Sequence, residues 1–136
     1  MARLPDWDER LFATFDRHAG VVFALGRADC LTFADACVEA VTGERPAAGE
    51  IGRYRTALGV RRRLKARGFG SIAEALAATF PEIGPAFAGR GDLGIVGDGA
   101  GETIVVGAGP RFVTLSPAGG LAAVRPDQIS RAFKVG

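Results

Sequence analysis

From Arg90 onward the sequence loses helical spacing and becomes a series of short apolar runs separated by glycine and other turn formers: Asp92–Val96, Glu102–Val106, Arg111–Leu115 and Gly120–Val124. Such runs at short, even intervals predict an antiparallel meander, laid out as an open sheet or closed into a small barrel. Pro126–Ser130 reads as a single helical turn and Arg131–Val135 as a closing edge strand. Residues before Arg90 repeat at helical spacing instead. Helices first and strands second predict an α+β fold.

The helical half is punctuated by its own stops. Trp7, Leu11 and Phe15 fall four apart behind Pro5-Asp6, with acidic residues in the first turn, and predict an amphipathic helix to His18. Ala19-Gly20 ends it, Val21–Leu25 is an extended link, and Gly26 turns the chain. Asp29 then caps a helix to about Thr42, on which Leu31, Ala34, Val38 and Val41 recur, and Gly43 stops it. A polar link from Glu44 to Glu50 leads to a helix predicted over Ile51–Arg67, with Tyr54, Ala57, Leu58 and Leu64 as its apolar side. Ser71 and Glu74 form a capping-box signature for a short helix, Ile72–Thr79, ended by Pro81; Pro85–Gly89 is loop.

A chain of 136 residues is long enough to bury one core without disulfides or a structural metal, so a single domain is expected, helical over 1–89 and β over 90–136. Its 17 basic and 15 acidic residues nearly balance, which demands neither nucleic acid nor an anionic membrane. The two cysteines, Cys30 and Cys37, lie too far apart on one predicted helix to bridge, and no CxxC or Cys/His cluster offers a zinc site. Free thiols, no metal and no cofactor are expected. No apolar run reaches membrane-spanning length and the N-terminus lacks signal-peptide character, so synthesis as a soluble cytoplasmic protein is expected.

Chemistry concentrates at Asp29-Cys30. A thiol on the first helical position lies among unpaired N–H groups, where partial positive charge favours the thiolate and lowers the cysteine pKa. Cys30 is therefore the candidate nucleophile, weighed against a small residue filling space between helix and sheet. Cys37, a heptad later, reads as core. The one histidine, His18, reads as a solvated helix terminus or, if the 19–29 link folds it back, as a base for Cys30 that Asp35 or Asp16 would orient. Arg61, Arg62, Arg63, Lys65 and Arg67 form a solvated face or a docking surface for an acidic neighbour, a cell-wall polyanion or passing DNA. Interleaved aromatics are sparse there, which argues against specific nucleic-acid recognition. Gly97–Gly101 lacks a phosphate-loop ending and reads as a hairpin loop; Arg90-Gly91-Asp92 reads as a strand-initiating turn.

A cysteine opening a central helix after an aspartate, then helices, then Gly91-Asp92 leading into antiparallel strands resembles the papain-like cell-wall peptidases of the NlpC type. More narrowly, the Phe23-x-x-Gly26-x-x-Asp29-Cys30 run, Thr42-Gly43, Gly52-Arg53-Tyr54, Arg90-Gly91-Asp92 and the terminal Phe133-Lys134-Val135 resemble a family encoded among phage and gene-transfer-agent tail genes of alphaproteobacteria. The resemblance implies a papain-like fold with Cys30 as nucleophile and a histidine base from the second strand, which would fall near Gly101 or Glu102. Neither is an imidazole, and acyl transfer by a thiolate also needs an acid for the leaving amine. The resemblance thus implies a degenerate domain in a phage-like tail tip, bound to other tail or baseplate proteins. Its alternative is an active hydrolase cutting peptidoglycan stem-peptide amides through Cys30 and His18.

Overall fold

The computed structural model describes residues 1–98 and 101–136. Four α-helices precede the strands: α1 (Trp7–His18), α2 (Cys30–Thr42), α3 (Ala57–Ala66) and α4 (Ile72–Thr79). The strands are β1 (Glu82–Ile83), β2 (Leu93–Val96), β3 (Thr103–Gly107), β4 (Phe112–Leu115), β5 (Leu121–Val124) and β6 (Arg131–Phe133). They form one antiparallel sheet in the order β1-β6-β2-β3-β4-β5. The fold is α+β with an open sheet, bounded by β1 and β5, so the closed-barrel form of the expectation does not hold. The expected edge strand at the C-terminus is also corrected: β6 lies inside the sheet, between β1 and β2. β1 itself lies in a stretch read as a helix stop, and Pro85–Phe87 adds a short 3₁₀ turn. The hairpin expected at Gly97–Gly101 falls partly on residues 99–100, outside the described residues.

Alternation along the strands divides the interior in two. Leu93, Ile95, Ile104, Val106, Leu115 and Phe133 face the helices and pack with Leu11, Phe15, Phe33, Cys37, Val38 and Val41 in the main core. The second cluster holds Val105, Phe112 and Ala132 of the sheet with Ile129 from the turn before β6, and Ile83, Ala88, Val96 and Val124 pack against it. Because both faces are buried, β3 reads Thr-Ile-Val-Val-Gly rather than alternating apolar with polar. Helix α2 packs against α1 and against β3 and β4 of the sheet.

Two buried carboxylates fasten the ends of this assembly. Asp92, just before β2, accepts from Gly89 N (2.9 Å), Val135 N (3.0 Å) and Arg3 Nη2 (3.0 Å). Arg3 also donates to the carbonyls of Val135 and Arg90. The Arg90-Gly91-Asp92 turn thus ties both chain ends to the start of β2. Asp35, buried on α2, accepts from Arg45 Nε and Ala47 N, each at 3.0 Å, and anchors the link after α2.

The predicted Ile51–Arg67 helix is shorter than its periodicity suggested. Thr56 caps α3 by accepting from Gly59 N at 3.0 Å, and residues 51–56 are turns. Tyr54 belongs to those turns and is buried, whereas Leu58 on the supposed apolar side is 49% exposed and α3 buries no residue. The capping box at α4 is half formed: Ser71 Oγ accepts from Glu74 N, but the Glu74 carboxylate turns to Gly70 N.

Candidate functional site

The site read from the sequence is the start of α2. Asp29 is extended (φ −138°) and its Oδ1 accepts from Thr32 N at 2.9 Å, while Thr32 Oγ1 accepts from Asp29 N at 2.8 Å, a reciprocal capping box. Oδ2 accepts from Gly26 N (2.8 Å) and from the Tyr54 phenol (2.6 Å). Backbone follows the same route: Gly52 N donates to Gly26 O, and a Cβ at Gly26 would sit 2.0 Å from the Tyr54 carbonyl oxygen. The glycine turn, the Asp-Cys pair and the Gly-x-Tyr stretch are therefore one construction, with the Asp29 carboxylate at its centre. Sequence reasoning placed Tyr54 on a helix and missed this role. The signal that could have found it is a lone tyrosine two residues after a turn glycine in an otherwise polar link.

Cys30 follows, at the first position of α2, packed on the main core beside the backbone of Ile104 in β3. Burial raises its pKa above the ordinary thiol value and the Asp29 carboxylate raises it further; the backbone N–H groups of Ile104, Cys30 and Leu31 act the other way and do not prevail. This reverses the expected direction. Helix-terminal N–H groups favour a thiolate, but Cys30 is only partly exposed, packs on the core and lies beside a carboxylate, and these effects outweigh them. Cys37 is fully buried among core side chains, as expected, and burial pushes its thiol well up.

No imidazole completes the site. His18 lies at the end of α1 with Nδ1 2.8 Å from the Thr14 carbonyl, and its ring packs edge-on to Phe33, one turn after Cys30. Because a carbonyl only accepts, Nδ1 is the donor. Asp35 does not orient it, being held by Arg45 and Ala47 N; Asp16 is exposed. Glu102, at the place where the resemblance put a base, directly precedes β3. Its carboxylate instead accepts from Ile72 N (2.8 Å) and Ala73 N (3.1 Å), capping α4 from across the fold.

Two surface hollows, of about 240 and 200 Å³, are lined by the Ser71, Glu102, Ser130 and Arg131 region and by α1 and α2 residues from Arg10 to Ala40; neither contains Cys30. Among the described residues no three His, Cys, Asp or Glu side chains gather to hold a metal ion. No helix there is long and apolar enough to cross a membrane.

The basic side chains of α3 divide between two faces. Arg63 and Arg67, four apart, both reach Glu50, at 2.7 and 2.8 Å. Arg61, Arg62 and Lys65 are exposed and form no ion pair among the described residues.

The whole of this arrangement, from Arg3 to Val135, lies within residues 2–135, which match the family described as Domain of unknown function (DUF6950). The chain belongs to the DUF6950 family. No curated protein matches it. Within this DUF6950 domain the elements that meet are Asp29 with Tyr54, and Asp92 with Arg3 and Val135; Cys30 and His18 are neighbours of a common residue, Phe33, without a direct hydrogen bond.

Proposed function

We propose that this DUF6950 domain is a papain-like, NlpC-type domain that has lost catalysis and serves as a component or assembly accessory of a phage or gene-transfer-agent tail tip. The observation that carries the non-catalytic half is the lack of an imidazole on Cys30: His18 bonds to the Thr14 carbonyl and packs on Phe33, while partial burial and Asp29 both raise the pKa of the thiol. A cysteine peptidase needs the opposite environment. The order of elements, with the thiol opening α2 against the second meander strand, is compatible with the papain-like reading. Tail membership rests on the sequence resemblance, and other tail or baseplate proteins are its partners.

One observation favours the second reading, an active cysteine hydrolase acting on peptidoglycan amides. His18 packs edge-on to Phe33, one helical turn after Cys30, which brings an imidazole to the cysteine helix. Alkylation of the native chain by iodoacetamide across a pH series separates the two. The non-catalytic reading expects Cys30 to react slowly until the chain is unfolded, with no change in His18→Ala. Rapid reaction near neutral pH that slows in His18→Ala, together with muropeptide cleavage lost in Cys30→Ser, would establish the hydrolase instead. Absence of the wild-type chain from purified particles would remove the tail assignment.

A further inference from the structure

The geometry points to the outward face of α3, Leu58 ringed by Arg61, Arg62 and Lys65, as the docking face for an acidic protein segment that presents an apolar side chain among its carboxylates. This rests on the assembly reading above and specifies its surface and the partner's chemistry.

These four residues are spaced i, i+3, i+4 and i+7, so they share one side of the helix. All four are exposed, and α3 buries none of its residues in the fold. A helix of 10 residues is marginal by itself, and this one is held by other means. Thr56 caps its start, Glu50 pairs with Arg63 and Arg67 behind it, and Phe69 N bonds back to Leu64 O. Glu50 thus offsets part of the positive charge on the rear face and ties two of its side chains together, while the front face keeps its cations unpaired among the described residues. From Arg53 to Arg67 the chain contains no acidic residue, although the chain as a whole is nearly balanced in charge. The positive field is therefore local to this helix and not a property of the molecule.

Leu58 selects among polyanions. A sugar–phosphate backbone offers an apolar side chain nothing to bury against, and the face has no exposed aromatic on which bases would stack. One leucine on a short helix provides too little apolar area to seat in a bilayer. An acidic helix or loop with an apolar residue at its centre satisfies both the cations and Leu58, the pattern of an apolar anchor inside a charged rim.

The test is a fluorescence-anisotropy titration of the full chain with a dye-labelled synthetic amphipathic peptide, glutamates flanking a leucine ridge. Binding that weakens with salt is expected, and the combined Arg61→Glu, Arg62→Glu and Lys65→Glu variant should bind at least about tenfold more weakly. Leu58→Ser should weaken binding about threefold while leaving the salt dependence unchanged, and Arg125→Glu, elsewhere on the surface, should change nothing. All these positions are exposed, so the variants keep the fold, as circular dichroism would verify. No peptide binding, equal binding by the triple variant, or tighter binding of duplex DNA or phosphatidylglycerol vesicles to this face overturns the inference. Particle incorporation is scored separately. A wild-type chain found in particles, whose triple variant is incorporated equally, overturns the α3 face alone; a wild-type chain absent from particles overturns the assembly reading, and the titration still decides the face.

Discussion

The phenol of Tyr54 donates a 2.6 Å hydrogen bond to Oδ2 of Asp29, tying the turns that precede α3 to the residue that starts α2. The phenol and the carboxylate are both buried, so the bond is charge-assisted and shielded from water. Tyr54→Phe keeps the ring and deletes the donor. A loss of about 1.5–3 kcal/mol of stability is expected, read as a lower denaturation midpoint with unchanged slope. A loss below about 0.5 kcal/mol would mean that water replaces the phenol and that the two segments are not coupled through it.

Gly26 and Gly52 make a matched pair for separating backbone strain from collision. Both have positive φ, 88° and 81°, but a Cβ at Gly26 would meet the Tyr54 carbonyl oxygen while one at Gly52 meets nothing within 4 Å. Gly52→Ala should cost about 1–2 kcal/mol, the left-handed penalty alone. Gly26→Ala should cost clearly more, about 3 kcal/mol or above, because the 52–54 turn must also move away from Asp29. Thermal unfolding of the two variants side by side measures the difference; equal losses would show that the contact relaxes freely.

Asp92 holds three donors from three parts of the chain. Asp92→Ala leaves Gly89 N, Val135 N and the Arg3 guanidinium without their acceptor, and about 3–5 kcal/mol of destabilisation is expected. Arg3→Ala should cost less, because Arg3 is partly exposed and its loss frees a carboxylate that keeps two backbone donors. A double-mutant cycle should give a coupling of about 0.5–3 kcal/mol; a coupling near zero would show that the N-terminus is not held through Asp92.

Stability should fall on the alkaline side. Burial raises the Cys30, Cys37 and Tyr54 pKa values in the folded chain, so above the ordinary thiol value of about 8.5 the unfolded chain binds fewer protons than the folded one. Their contribution is fully present below that pH and is lost as pH rises toward the raised folded values. Urea midpoints should be flat from pH 7 to 8, fall beyond about 9, and fall less steeply in Cys30→Ala/Cys37→Ala. An identical alkaline slope in that variant would assign the loss to other groups.

Much of the local structure was legible because its causes are local. Asp29 with Thr32, Thr42-Gly43, and Leu11 with Phe15 act within a few residues, so spacing alone placed α1 and α2. The strand runs were readable for the same reason. Ile51–Thr56 misled because Tyr54 continues the helical spacing of Leu58 while serving a buried carboxylate 25 residues earlier. Glu102 was equally opaque: only the folded chain brings the residue just before β3 to the first N–H groups of α4.

The sequence by itself determined the α+β order, the cap at Asp29, the helix carrying Cys30 and the concentration of arginine in α3, since each depends on neighbours along the chain. Tertiary structure decided what those features mean. It placed β6 inside an open sheet, set Ile104 and Asp29 around the Cys30 thiol, and split the α3 cations between Glu50 and solvent. The reason is that a pKa, an ion pair or a strand's neighbours depend on groups within a few ångströms in space, and chain spacing does not encode which groups those are.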